Sequence, residues 1–593
     1  MNIAITGLGI VSAIGCGTQA TIDALRAKRT GIGPMRHLQS VHRELPVGEV
    51  PMSDAQLKEK LGIAPDREVS RTALLGMEAI SQALADAGVD VSAAGNGSDG
   101  GCTRVLLVSG TTVGGMDVTE RHFDGTALPT DTQFISTHDC GSNTRLMASH
   151  FGKLFADIST VSTACSSAAN AIMLGARLIE AGEADIVVAG GSEALSRFHL
   201  NGFNSLMILD GQQCRPFCVT RAGLNLGEGA AYIVMESASH AAARQNEPKA
   251  WLTGWGNACD AFHQTASSAD GEGAFLAMTA ALREAGLAPA DIDYINAHGT
   301  GTPNNDMSES AALVRVFGNG MPPVSSTKGF TGHTTSASGS IETVISILAM
   351  RHGFVPANIG WREPMADGIV PTMGNDAAVL HHVLCNSFGF GGNDTSLVLS
   401  ASPTGGVGTR AECRPVCHPR ELARVEITSP DHLGSISQWV KPLEARRMGK
   451  LMKASLIASL EALREAGVQC PDAIITATAY GCVESSERLL AQIAAGGEAM
   501  TSPTHFMQST HNTIGSNIAI RTHCHGYNMT YTQGAQSLQW ALRDARMLIS
   551  EGRCRTVLVG CHDESTPLLG ELMRAADLDA PQPLSSTAIV LSC

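Results

Sequence analysis

The sequence predicts a layered α/β fold built from two tandem halves, with a third copy of the first half at the C-terminus. Three observations lead there: strand and helix patterns alternate from Met1 to about Glu236, the alternation restarts at Lys249, and segments of the first half recur after Val425. The first half reads strand, helix, strand, helix, strand, helix and two closing strands, Asp185–Ala189 and Ala230–Met235. Inside it a β-prone run, Phe155 to Val161, meets a small-residue helix that continues through Leu174 and Ile179. The second half offers a strand at Trp251–Trp255, a helix at Gly273–Ala285, a strand at Ile292–Ile295 and a helix at Asp306–Phe317. A strand at Pro323–Ser326, a helix at Thr335–Arg351 and strands at Val379–Cys385 and Thr395 follow. Tandem alternation of this kind places helices between and outside two sheets.

After Ser400 the run from Ala401 to Thr409 is made of small residues with prolines soon after, which reads as a linker. The expected units are 1–248, 249–402, a linker over 403–424, and 425–593. In the last unit Ala466-Gly467-Val468 repeats Ala87-Gly88-Val89, and Thr587 to Leu591 repeats the pattern of Ala230 to Val234. Met547 to Gly560 likewise repeats Arg177 to Gly190, which sets the third copy on the first with a shift of 370 positions.

At 593 residues the chain needs two or three domains, and its 44% hydrophobic content is ample for packed cores. No apolar run of about 18 residues occurs, and the chain enters a strand pattern without a basic leader, so a cytoplasmic location without a membrane span is expected. The 16 cysteines are scattered rather than densely spaced, which fits a reducing compartment. Cys413, Cys417 and His418, or His523, Cys524 and His525, lack a second ligand pair at zinc-finger spacing, so no metal is expected. A net charge of −15 with 4% aromatic residues argues against nucleic acid.

Chemistry concentrates at a few places. Cys165 stands in Ser162-Thr163-Ala164-Cys165-Ser166-Ser167, where a strand turns into a helix. A sulfur there gains a helix N-terminus, expected to favour thiolate, and free backbone N–H groups for an oxyanion. His298 (Asn296-Ala297-His298-Gly299-Thr300-Gly301-Thr302-Pro303) and His333 (Lys328-Gly329-Phe330-Thr331-Gly332-His333) each lie in glycine-bracketed turns after short apolar strands. Asn386 to Asn393 reads as a glycine-rich turn whose backbone can approach a ligand closely. Gly7-Leu8-Gly9 lacks the third glycine of a dinucleotide fingerprint, and Gly190-Gly191-Ser192-Glu193 is not a nucleophile elbow.

In order, Cys165, His298, Lys328, His333 and the Gly389-Phe390-Gly391-Gly392 turn resemble the chain-elongating β-ketoacyl-acyl carrier protein synthases, over about residues 1 to 402. Ile3 to Ser12, Arg215-Pro216-Phe217, Gly227-Glu228-Gly229 and Asp260-Ala261-Phe262-His263 are similar to that family too. The resemblance implies the duplicated thiolase-like fold and a decarboxylative condensation of a malonyl unit with an acyl group held on Cys165. It implies an oxyanion site at the N–H groups of Cys165 and Phe390, and His298 and His333 as neutral imidazoles donating through Nε2 to an enolate oxygen. It assigns Lys328 to electrostatic support, tying the histidine loop to Glu309; Thr300 and Thr302 to the pantetheine amides; Phe388 and Phe390 to gating; and Val113 to the acyl pocket. No resident cofactor is implied, since the phosphopantetheine arm arrives on the partner, an acyl carrier protein. Lys58, Lys60, Arg67 and Arg71 are candidates for docking that acidic partner.

Two departures from the family pattern, Asn393 in place of threonine and the run Thr334-Thr335-Ser336-Ala337-Ser338-Gly339, point to specialised fatty acid, polyene or polyketide synthesis, with a housekeeping fatty acid elongation enzyme as the alternative. The shift of 370 positions puts Ala535 where Cys165 stands, flanked by Gln533 and Gln536. Alanine has no lone pair for a thioester, so the third copy reads as catalytically inactive. It resembles half-length chain-length factors of aryl polyene and type II polyketide systems. Either it mimics a second protomer and shapes the acyl tunnel, or it recruits other proteins; the chain is expected to be a homodimer, or a pseudo-dimer through this C-terminal domain.

Overall fold

The structure is a computed structural model that describes residues 2–91, 103–123, 132–405, 419–498 and 501–593. Most of the expected linker, with Cys413, Cys417 and His418, lies outside these residues. Cys524 and His525 each meet a backbone carbonyl, of Pro471 and Cys259.

The first half is a five-stranded sheet. The strand Ile3–Ser12 runs antiparallel to Gly229–Ser237, which borders Ile186–Glu193; Val105–Gly110 and Asp157–Val161 then continue in parallel with the latter. Successive residues of these strands point to opposite layers, so both faces must be apolar. Leu106, Val108 and Val187 join a core around the helix Ser167–Glu180, whereas Leu107, Ile186 and Val188 join a core around Arg71–Asp86. Gly9 is where that outer helix touches the strand: a Cβ there would lie 1.9 Å from the Ala79 carbonyl oxygen. Close helix packing, not nucleotide binding, explains Gly7-Leu8-Gly9.

The second half repeats the plan with Ala250–Cys259, Asn393–Ser400, His382–Gly389, Tyr294–Asn296 and Val324–Ser325. Its first strand pairs with Ile3–Ile5, so the two expected sheets share one continuous ladder. The helix Ser338–His352 packs on Ser167–Glu180, and Gly339 permits it: a Cβ there would meet the Ala169 methyl at 2.8 Å.

In the third copy Arg420–Ile427, Leu584–Ser592, Thr556–Glu564, Ala473–Ala477 and Tyr527–Tyr531 follow the strand order of the first half. Its first strand begins at Arg420, within the stretch read from sequence as linker. The copies meet through their last strands, where Tyr531 faces Val161 in antiparallel register. Ser162 N–H donates to Thr530 O at 2.9 Å and Thr532 N–H donates to Thr160 O at 3.0 Å. Equivalent residues thus face each other across a local twofold axis, as in an isologous dimer. Beside it Arg177, 1% exposed, pairs with Asp544 and Glu551 of the third copy. No helix among the described residues is long and apolar enough to cross a membrane.

Candidate active site

Cys165 lies in a single 3-10 turn, Ala164–Ser166, between the strand Asp157–Val161 and the helix Ser167–Glu180. Ala164 takes φ 54°, a left-handed value that an alanine adopts only under strain and that turns the chain abruptly at the sulfur. The sulfur is 5% exposed and 3.0 Å from Nε2 of His333. The ring of His298 stands 5.4 Å from that of His333, centroid to centroid and near perpendicular. Residues far apart in sequence thus converge because three strand ends meet at the same edge of the layers.

Burial pushes the Cys165 thiol up to about 12, against the opposing pull of the Lys328 charge and the Phe390 backbone N–H. The helix N-terminus therefore does not make a resting thiolate, contrary to the sequence expectation, because desolvation of a buried sulfur outweighs a terminal dipole. Both histidines are held well below the ordinary value, first by burial and then by Lys328, and are neutral. The Lys328 ammonium reaches the His298 carbonyl oxygen and the Glu342 carboxylate and lies 3.4 Å from His298 Nδ1. An ammonium offers only donors, so His298 Nδ1 accepts and its proton sits on Nε2. Ser338 Oγ is 3.0 Å from Nδ1 of His333 and serves either tautomer.

The carboxylate paired with Lys328 is Glu342, not Glu309 as expected. Glu309 instead accepts the backbone N–H groups of His298 and Gly299 at 2.8 and 2.7 Å, fixing the histidine loop directly. Burial raises both carboxyls to about 7. Thr300 and Thr302 follow on this loop, with their hydroxyls 2.9 Å apart. Phe388 is the last but one residue of the strand His382–Gly389, so the turn is shorter than the sequence suggested, and its ring lies 5.9 Å from His298. Phe390 stacks on Phe203 at 5.7 Å, in one apolar cluster with Val113 and Phe198. Leu489, Leu490, Ile493 and Phe506 of the third copy complete that cluster.

The third copy also grips the Phe390 turn. Asn512 Nδ2 donates to the Phe390 carbonyl at 2.8 Å and Ser516 Oγ to that of Gly391 at 2.6 Å. Asn393 accepts from Ser166 and Asn170 beside the nucleophile and donates to the Asn528 carbonyl at 2.6 Å. Its departure from threonine thus serves the contact between copies. In the polar run, Ser338 meets His333, and Ser336 donates to the buried Glu193 at 2.6 Å. These hydroxyls brace the site.

Family models for the β-ketoacyl synthase N-terminal domain and C-terminal domain match residues 1–241 and 249–362, and a second N-terminal-domain model matches 423–591. The 3-oxoacyl-[acyl-carrier-protein] synthase 2 of Coxiella burnetii is 33% identical over 415 residues, 67% of this chain and 98% of that protein. The chain belongs to the β-ketoacyl synthase family. Nodulation protein E of Rhizobium meliloti is 32% identical to this ketosynthase, over 67% of this chain and 98% of its own. Among solved structures, the ishigamide ketosynthase/chain length factor aligns at TM-score 0.62 and 30% identity, over 67% of this chain and 98% of that one. ApeO of Xenorhabdus doucetiae, in complex with its chain length factor ApeC, aligns at TM-score 0.57 and 31% identity over 68% and 98%. The PfaC keto synthase-chain length factor covers 100% of this ketosynthase and 78% of its own chain at TM-score 0.80; at 15% identity it shows the shared fold alone. The ketosynthase is thus an acyltransferase of the condensing type, with a thiolase-like fold and an added ketosynthase-like domain.

Sequence reasoning missed Glu342 and the contact of Ser338 with His333, although one carboxylate in the apolar helix Ser338–His352 is a readable signal for a buried cation. Of the docking candidates, Arg71 is 7% exposed between Glu228 and Asp54, and Lys60 pairs with Glu78. Arg71 is structural because its guanidinium ties two segments together, which its sequence neighbours do not reveal.

Proposed function

We propose that the chain elongates an acyl group delivered by an acyl carrier protein, with Cys165 as nucleophile and the third copy as the wall of the acyl tunnel. The observation that carries this reading is the Cys165 sulfur 3.0 Å from His333 Nε2, with the His298 ring beside it. In loading, the sulfur attacks the carrier thioester while its proton passes to His333 Nε2 and on to the departing carrier thiol. The oxyanion is met by the N–H groups of Cys165 and Phe390. A malonyl thioester then occupies the cleft, its pantetheine amides at Thr300 and Thr302.

As carbon dioxide leaves, the electron pair of the broken C–C bond becomes an enolate, whose oxygen receives the Nε2–H of His298; His333 donates beside it only after its remaining proton has moved from Nδ1, by way of Ser338 Oγ and solvent, to Nε2. Each such donor in a dry site contributes about 3 kcal/mol. The enolate carbon attacks the acyl carbonyl on Cys165, the C–S bond breaks, and the departing thiolate takes one proton from water, which balances the carboxylate lost as carbon dioxide. In this reading Phe388 and Phe390 gate the two substrates and Val113 lines the acyl chain.

Support for the third copy as tunnel wall comes from Phe506 and Leu490 in the Val113 cluster, and from Asn512 and Ser516 on the oxyanion turn. A module that only recruited partners would need neither. The chain would then act as a pseudo-dimer with one active centre. Incubation with malonyl-carrier and a series of acyl-carriers, followed by mass analysis of the products, tests the reading. Extension by a two-carbon β-keto unit, lost in Cys165→Ala, is expected; no acylation of Cys165 by any acyl-carrier would refute it.

A further inference from the structure

The third copy's strand Tyr527–Tyr531 changes partner along its length. At its end the Thr530 carbonyl and, just past it, the Thr532 N–H pair with the first copy, whereas both backbone groups of Asn528 are taken by side-chain amides of the second half. The Asn528 N–H donates to Asn257 Oδ1 at 2.8 Å, and its carbonyl accepts from Asn393 Nδ2 at 2.6 Å. A backbone N–H only donates and a carbonyl only accepts, so each of these amides has a single allowed orientation. Asn257 therefore turns its nitrogen, and Asn393 its oxygen, away from the third copy.

Asn170, on the helix Ser167–Glu180 that follows Cys165, joins those two ends. Asn257 Nδ2 donates to Asn170 Oδ1 at 3.0 Å, and Asn170 Nδ2 donates to Asn393 Oδ1 at 2.8 Å. Asn528, Asn257, Asn170 and Asn393 thus form a closed ring in which each residue donates to the next. Asn170, Asn393 and Asn528 are buried, so these bonds strengthen one another in a dry medium, and an opened link leaves an unpaired polar group. The inactive copy does not repeat the arrangement, since the shift of 370 positions puts Trp540 where Asn170 stands.

The ring lies between the two turns that carry the oxyanion donors. The N–H groups of Phe390 and Cys165 both bear on the Cys165 sulfur. Asn393 closes the Phe390 hairpin, opposite Gly389 in register, and its Oδ1 lies 2.8 Å from the hydroxyl of Ser166, the residue after Cys165. The turns run close together: a Cβ on Gly389 would lie 2.8 Å from the Thr163 carbonyl oxygen. We propose that Asn393 and Asn170 are positioning residues that, through this ring, fix the spacing of the Phe390 and Cys165 N–H groups, with the third copy as the ring's fourth member. The proposal rests on the condensing reading above. It bears on acyl transfer, where the oxyanion forms at those N–H groups, and not on decarboxylation, whose enolate is met by the histidines.

The test separates the two half-reactions: loading of Cys165 from an acyl-carrier, read from the mass of the acylated chain, and carbon dioxide release from malonyl-carrier without a primer. Asn393→Ala should slow loading about tenfold or more while carbon dioxide release stays within about twofold, because only a misplaced oxyanion donor is involved. Asn257→Ala should act in the same way, and the double variant should lose no more than the worse single one, since one opened link already breaks the ring. If Asn393→Ala does not fold, Asn393→Thr carries the test: its hydroxyl can face Ser166 but is too short for the Asn528 carbonyl, and the same selective loss is expected. Unchanged loading, equal losses in both half-reactions, or fully additive losses in the double variant overturn the inference while leaving condensation itself intact. Failure of the wild-type chain to load any acyl group would sink the condensing reading, and this inference with it.

Discussion

The helices Ser167–Glu180 and Ser537–Ser550 are counterparts under the shift that joins the first copy to the third, and each follows a residue with left-handed φ. In the first copy that residue is Ala164 at φ 54°, strained; in the third it is Gly534 at φ 60°, which takes the conformation freely. Strain persists where it aims a sulfur and has gone where an alanine follows. The surroundings differ as well. Ala169, Met173 and Ala176 are buried, and Ala169 meets Gly339 of the second half. Their counterparts are Gln539, Arg543 and Arg546, of which Gln539 and Arg546 are exposed. Arg543 reaches across to Glu183 and Asp157. The third copy has therefore lost not only the nucleophile but the apolar face on which a second half would pack.

Exchange of the elbow residues should give the largest effect. Cys165→Ala should lower condensation by about 10⁴-fold or more, and Ala535→Cys should acquire no acyl group, since position 535 is exposed and faces no histidine. Mass measurement of acylated chain after incubation with acyl-carrier decides it; an acyl adduct at residue 535 would break the contrast. Next, Arg177→Met leaves the buried Asp544 without its cation, and should destabilise the chain by about 3–5 kcal/mol in denaturant titration. A loss under about 1 kcal/mol would mean that the junction between copies does not need this charge.

Smaller effects sharpen the packing contrast. Ala169→Gln should destabilise by about 1–3 kcal/mol through overpacking against Gly339, whereas Gln539→Ala should stay within about 0.5 kcal/mol. Equal losses would show that both helices are packed alike. Asn512→Ala should lower kcat about tenfold with little change in Tm, if the third copy positions the Phe390 N–H; unchanged kcat would leave that grip a purely structural contact. A further effect concerns pH. His138 and His511 fold with values of about 4 against an ordinary 6.5, so the unfolded chain binds the extra protons between those limits. Stability should therefore fall as pH drops through that window, by on the order of 1–3 kcal/mol per imidazole, and His511→Gln should flatten the slope.

Much of this was legible in the chain. Cys165, His298 and His333 stand in turns whose small and glycine residues mark strand ends, and the pattern around Cys165 recurs so regularly that this part of the third copy could be set on the first with one shift. What sequence hides is burial. The thiol of Cys165 is raised because its whole environment is dry, a property of packing rather than of the turn that carries it. The family resemblance points Lys328 at Glu309; the fold gives it Glu342, on the helix after His333, and turns Glu309 onto backbone N–H groups. Asn393 and the hydroxyl run of 334–338 have partners that are invisible until the layers are stacked: the Asn528 carbonyl of the third copy for Asn393, and Glu193 and His333 for Ser336 and Ser338.

The register that sets Tyr531 against Val161 has one more result. A separate companion subunit would have to be made in matching amount and would fall away on dilution. Covalent tethering makes its effective concentration a constant of the chain, so every copy leaves the ribosome with its companion at one-to-one stoichiometry, however scarce the protein is in the cell.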